Sequence, residues 1–177
     1  MKIRTILVPL PVSSIENMSV DYRTLNSQLA ALLADETDAL ANSANFVGLL
    51  YREISDINWL GIYVLRDNQL VLGPFQGSPA CVRIPLGQGV CGTAAENGET
   101  VRVDDVHAFA GHIVCDPESR SEVVVPLTIH GKLIGVLDID SPRTARFNDT
   151  DQTGVELLCR TFVRKLEKDL QDPADFI

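Results

Sequence analysis

Two strand-forming runs, SEVVVPLTI at 121–129 and KLIGVLDID at 132–140, are separated only by His130 and Gly131. Branched residues with a two-residue, glycine-containing link specify a tight antiparallel hairpin. Any fold open to this chain therefore contains an antiparallel sheet built on that hairpin. Upstream, INWLGIYVL and QLVLGPF carry the same strand chemistry and meet at Arg66-Asp67-Asn68, which reads as a second hairpin. CVRIP at 81–85 is a short strand. The loop Pro85 to Gly89 leads into a short helix from Val90 to about Asn97, which Asn97-Gly98 ends. Thr100 to Val103 reads as a further strand, and Asp104 to Arg120 as a long irregular stretch.

Helical spacing marks the two ends of the chain. Leu25, Leu29, Leu32 and Leu33 recur with helical period between Asp21 and Asp35, as do Leu40, Ala44, Val47, Tyr51 and Ile54 between Thr37 and Ile54. The intervening ADET suits a helix start. Near the C-terminus Asn148 or Asp149 caps a helix running to about Leu170, with Gln152 in a capping-box position relative to Asp149. The order implies an α+β domain, an antiparallel sheet flanked by N- and C-terminal helices. A chain of 177 residues fits one such domain. We divide it into an extension at 1–20, a domain at 21–170 and a tail at 171–177.

Charge narrows the function classes. A formal net charge of −9 with no lysine-arginine cluster argues against nucleic acid and anionic membrane surfaces as partners. No apolar run approaches the roughly 20 residues that a membrane helix needs. MKIRTILVPLPVSS has basic residues ahead of an apolar run, yet that run is short and holds two prolines, which is unlike a secretory signal. Met18 is an alternative start. The expected compartment is cytoplasmic, where thiols stay reduced and clustered cysteines serve catalysis, redox chemistry or metal binding rather than structural disulfides.

The chain has four cysteines. Cys159, in GVELLCRTF, has the setting of a small buried helix residue. Cys81 in PACVRIP, Cys91 in GVCGTAA and Cys115 in HIVCDPES instead stand beside turn signals, where functional residues concentrate. Three readings stay open for the segment around Cys115. It is a packed loop with an incidental thiol, held down by Phe109, Ile113 and Val114; or it joins Cys81, Cys91, His107 and His112 in a zinc site; or it serves thiol redox chemistry. The spacing lacks the close cysteine pair typical of zinc sites. Redox chemistry needs an activated thiolate and a second thiol within reach. Local electrostatics favour Cys91, at a helix start where the dipole stabilises a thiolate. They disfavour Cys115, which precedes Asp116 and Glu118.

Asp138 and Asp140 are two apart on one strand and so share a face, and the hairpin can bring Glu122 to the same end of the sheet. Such acids repel one another, and one tends to keep a proton that it can donate; alternatively the pair binds an ammonium or a metal. The bland alternative is a pair of solvated strand-end residues. Trp59 and Tyr63, four apart, also share a face, as core or as the wall of a pocket for a methyl or thioether group. GQGVCG lacks the lysine and spacing of a phosphate loop.

From about Asn58 to Phe162 the motifs NWLGIY, VLGPFQGSPACVRIPLGQGVCGTAA, DVHAFAGHIVCD, SRSEVVVP and LIGVLDIDSP, in this order, resemble the free methionine-(R)-sulfoxide reductases, a family built on a GAF domain. The resemblance extends back to Tyr22 and leaves about the first 20 residues uncovered. It implies a GAF-like fold and reduction of free methionine-R-sulfoxide without cofactor or metal. It implies Cys115 as nucleophile, Cys81 as principal resolving thiol, Cys91 as alternative or relay, and thioredoxin as reductant. Glu122, Asp138 and Asp140 would surround the substrate, with Glu122 and Asp140 among the catalytic groups, and Trp59 and Tyr63 would contact its methyl end. A homodimer is compatible, since GAF domains often pair through their helices. The competing reading is a GAF sensor that binds a small molecule without turnover; three thiols with an acid cluster weigh against it.

Overall fold

The computed structural model describes residues 20–111 and 115–177. The extension, Met18, His112, Ile113 and Val114 therefore lie outside the described residues, except that Val20 is seen packing on the core. Helices α1 (Tyr22–Leu32) and α2 (Ala39–Glu53) come first, followed by strands β1 (Trp59–Arg66), β2 (Gln69–Gln76) and β3 (Arg83–Pro85). Helix α3 (Gly89–Asn97) and β4 (Val101–Val103) follow, then a 3-10 turn at Val106–Ala108, β5 (Ser121–Ile129), β6 (Lys132–Ser141) and α4 (Asp149–Asp169). The six strands form one sheet in the order β3-β2-β1-β6-β5-β4, every neighbouring pair antiparallel. Both expected hairpins are present. Each turns on two residues of positive φ, Asp67 with Asn68 and His130 with Gly131, the backbone that a two-residue hairpin link requires.

Strand alternation divides the core in two. Leu60, Ile62 and Val64 of β1, Val123 and Val125 of β5, and Leu137 and Ile139 of β6 pack against α1, α2 and α4. Their sequence neighbours Trp59, Tyr63, Val124 and Val136 face the other way, where α3 and the 3-10 turn cover a second apolar cluster. The acids of β5 and β6 project on that second side. Helix α1 docks on α4 at Gly154, where a Cβ would overlap the Tyr22 ring carbons, the nearest at 2.1 Å. Asp151 reinforces that contact, accepting a hydrogen bond from the Tyr22 hydroxyl at 2.8 Å and pairing with Arg146 at 3.0 Å.

Local expectations need correction in three places. In α2 the expected apolar stripe is rotated: Leu40 is 53 % exposed, whereas Asn42 and Ser43 are fully buried. Burial is tolerable there because Asn42 donates to the Glu36 carbonyl at 2.9 Å and Ser43 to the Ala39 carbonyl at 2.7 Å. In α1, Leu32 is 43 % exposed, while Leu25, Leu29 and Leu33 carry the contact. The capping box of α4 joins Asn148 to Asp151, not Asp149 to Gln152. The segment 171–177 packs back onto the domain. Phe176 is fully buried, edge-on to Phe162 with centroids 6.3 Å apart, and its carbonyl accepts from the Arg66 guanidinium.

Candidate active site

The β5–β6 register sets Glu122 directly opposite Asp140, with Asp138 two residues along β6 opposite Val124. All three acids thus occupy one patch on the α3 side of the sheet, as the alternation in LDID implied. Helix α3 lies over this patch because Gly92 allows its first turn to close on the preceding loop; a Cβ at Gly92 would overlap the Pro85 carbonyl. Cys91, in that turn, presents its thiol to Glu122, with Sγ 3.7 Å from Oε1.

Ile84, Gly89, Val90 and Cys91 line one side of the resulting cavity, and Cys115, Asp116 and Ser119 the other, with the three acids between them. Its volume is about 30 Å³, enough for one or two waters. The Cys115 segment is fastened across the entrance to β1 by Asn58, whose side-chain amide donates to Asp116 and to Ser119, both at 3.1 Å. Cys115 is disulfide-bonded to Cys81, with Cα atoms 5.3 Å apart. Cys81 lies in the loop before β3. Both sulfur-bearing residues are half-buried against the second apolar cluster, and Cys115 lines the cavity.

Burial dominates the electrostatics. It lifts the carboxyls of Glu122 and Asp140 well above the ordinary range, and the charge of Asp138 pushes both in the same direction. Burial raises Asp138 to about 6, with hydrogen bonds involving Cys91 and Glu122 pulling it back. Asp138 Oδ1 is buried without a hydrogen-bond partner among the described residues. The cluster consequently holds protons near neutral pH, and a raised acid can deliver one.

Cys91 departs from the local expectation. Its position in the first turn of α3 suggested a stabilised thiolate, but burial, followed by the charges of Asp138 and Glu122, pushes the thiol far up. Desolvation outweighs the short helix's dipole, so the side chain is a protonated neighbour of the acids rather than a ready nucleophile. Cys159 is buried in α4, as expected. The alternative zinc set of Cys81, Cys91, Cys115 and the histidines is not assembled among the described residues: Cys81 and Cys115 are bonded to each other, and His107 sits exposed on the 3-10 turn and does not line the cavity. His112 lies outside the described residues.

Trp59 and Tyr63 stack at 5.7 Å between centroids and are buried in the second cluster, but neither lines the cavity. Both hold the chain that leads to Cys81. The Trp59 indole donates to the Ser78 carbonyl at 3.0 Å and the Tyr63 hydroxyl to the Cys81 carbonyl at 3.1 Å. Charges on the acids and Cys91 contribute to raising the Tyr63 phenol, after burial itself, which locates the ring close behind the cluster. Asn58 and Ser119 escaped the sequence reading. They are 61 residues apart, and no spacing rule links them.

A GAF-domain family model matches residues 23–166. The free methionine-R-sulfoxide reductase of Escherichia coli is 52% identical over 152 residues, spanning 86% of this chain and 90% of that protein. Among solved structures, fRMsr of Staphylococcus aureus in complex with substrate superposes with a TM-score of 0.80 at 47% identity, covering 84% of this chain and 97% of that one. The substrate complex of the free methionine-R-sulfoxide reductase from Neisseria meningitidis gives 0.81 at 44% identity, over 84% and 89% of the two chains.

Proposed function

Because the chain belongs to the free methionine-R-sulfoxide reductases of the GAF-domain family, we propose that it converts free methionine-R-sulfoxide to methionine through the Cys115 thiol, with Cys81 as resolving partner. The observation that carries this reading is the joint presence, around one cavity, of a disulfide-forming Cys115 and three buried acids. In the reduced protein the Cys115 sulfur attacks the sulfoxide sulfur. Oxygen passes to Cys115 as a sulfenic acid, methionine leaves, and the substrate sulfur gains the two electrons that Cys115 loses. The Cys81 thiol then displaces water from the sulfenic acid, producing the Cys81–Cys115 disulfide. A dithiol reductant, thioredoxin in a cytoplasmic setting, restores both thiols by exchange.

The acids supply what the first step lacks. A sulfoxide oxygen leaves poorly until it is protonated, and Glu122 or Asp140, each inclined by burial to keep a proton, can provide one. The remaining negative charge, on Asp138 or its neighbours, suits an α-ammonium, which a peptide bond would remove; hence the preference for the free amino acid. Trp59 and Tyr63 form the wall behind the acids and are the groups proposed to meet the methyl end when the disulfide opens. Cys91 serves as a second, slower resolving thiol.

The test is a coupled assay with thioredoxin, its reductase and NADPH on three substrates: free methionine-R-sulfoxide, its S epimer and N-acetylated methionine-R-sulfoxide. NADPH loss with the free R form alone is expected. Equal rates on the acetylated form would remove the role given to the acids in reading the amine. A sensor without turnover would consume no NADPH with any of the three.

A further inference from the structure

One thiol and two carboxylates of the cavity floor, besides the parts given to them in the proposed reaction, are close enough to hold one ion between them. Cys91 Sγ, a Glu122 oxygen and an Asp138 oxygen all lie within 4.8 Å of one another, and all three residues are buried. The Cys91–Glu122 separation is 3.7 Å. With zinc–sulfur bonds of about 2.3 Å, zinc–oxygen bonds of about 2.1 Å and a tetrahedral angle, the sulfur–oxygen edge is about 3.6 Å. The pair is therefore already spaced as two ligands of one tetrahedral ion. Asp138 interacts with both of the other groups through its side chain, and its Oδ1, buried in the wall of the cavity, is left without a donor among the described residues.

We propose that Cys91, Glu122 and Asp138 form a site for a thiophilic divalent cation, zinc or cadmium, with the fourth position open to the cavity. The donor set suits such an ion: thiolate selects against magnesium and calcium, and a dication cancels two of the three negative charges brought together. Binding exchanges protons for the metal with no change in oxidation state. The ion occupies the cavity floor beside Asp140 and Cys115, so on the reading proposed above it also blocks the substrate; the binding itself does not depend on that reading.

The disulfide-bonded form allows a clean test, because Cys91 and Cys159 are then its free thiols. Titrating it with cadmium while recording the ultraviolet thiolate-to-cadmium charge-transfer band, alongside equilibrium dialysis with zinc, should give one ion per chain. Cys91→Ser should remove the band, and Cys159→Ser should keep it. Asp138→Asn, which preserves shape, should weaken zinc at least tenfold if circular dichroism shows it folded. No band and no bound zinc in the wild-type protein, or a band that survives Cys91→Ser, would overturn the site, whatever the assay for sulfoxide reduction shows.

Discussion

At the scale of single residues, the cavity is governed by the cost of burying charge. Asp138 titrates near 6 in the folded protein, against an ordinary value of 3.8. Below 3.8 both the folded and the unfolded chain are protonated, and the residue is neutral towards stability. Between 3.8 and about 6 the unfolded chain ionises while the folded one resists, so folding loses stability as pH rises, and above 6 the loss is constant. Asp138→Asn should therefore raise the melting temperature by an amount that grows from pH 4 to pH 6 and then levels off, as thermal melts across that range will show. A gain independent of pH would mean that the side chain is not a buried, ionisable acid. The cysteines separate by single-turnover chemistry under the proposed relay. Cys115→Ser should abolish methionine release, Cys81→Ser should retain the first turnover and block recycling, and Cys91→Ser should retain the first turnover, since its thiol is held protonated. Loss of the first turnover in Cys91→Ser alone would reverse the assignment.

Elements set where those residues meet. The hairpin register and strand alternation were legible in VVVPLTIHGKLIGVLDID, and with them the shared face of Glu122, Asp138 and Asp140. Periodicity served α2 poorly, because it scores apolar residues and cannot see that Asn42 and Ser43 will find backbone carbonyls inside the core. For α3 the motif GQGVCG located the helix without revealing how tightly it closes. Gly92 is the residue that sets this distance, through its approach to the Pro85 carbonyl. Gly92→Ala forces the helix away from that carbonyl and should cost about 1–3 kcal/mol by chemical denaturation, with a fall in turnover because Cys91 and the cavity move with the helix. Unchanged stability would show that the loop at 85–87 yields instead.

Over the whole molecule, two features reach beyond any one element. The first is the bridged cavity: the Cys81–Cys115 disulfide and the segment tied down by Asn58 lie against the acids on the side where a substrate would enter. Calorimetry should therefore find methionine binding to the reduced protein and not to the disulfide form; equal affinity would mean that the ligand enters elsewhere. The second is the C-terminal return. Phe176 fills the far side of the helical core against Phe162, which itself stacks on Phe46 at 4.5 Å. Phe176→Ala should cost about 3–5 kcal/mol in chemical denaturation, although the residue lies nearly at the chain end and far from the active-site motifs in sequence. The sequence alone determined the antiparallel sheet, the flanking helices, the family and the acids that share a face, because all of these follow from local period, turn chemistry and motif order. Whereas the Cys81–Cys115 pairing was already implied by the motif order, the tertiary structure decided that Cys91 is a protonated neighbour of the acids, how Asn58 ties down the Cys115 segment, and where Phe176 goes. Those outcomes depend on desolvation and on contacts between residues tens of positions apart, for which local sequence has no signal.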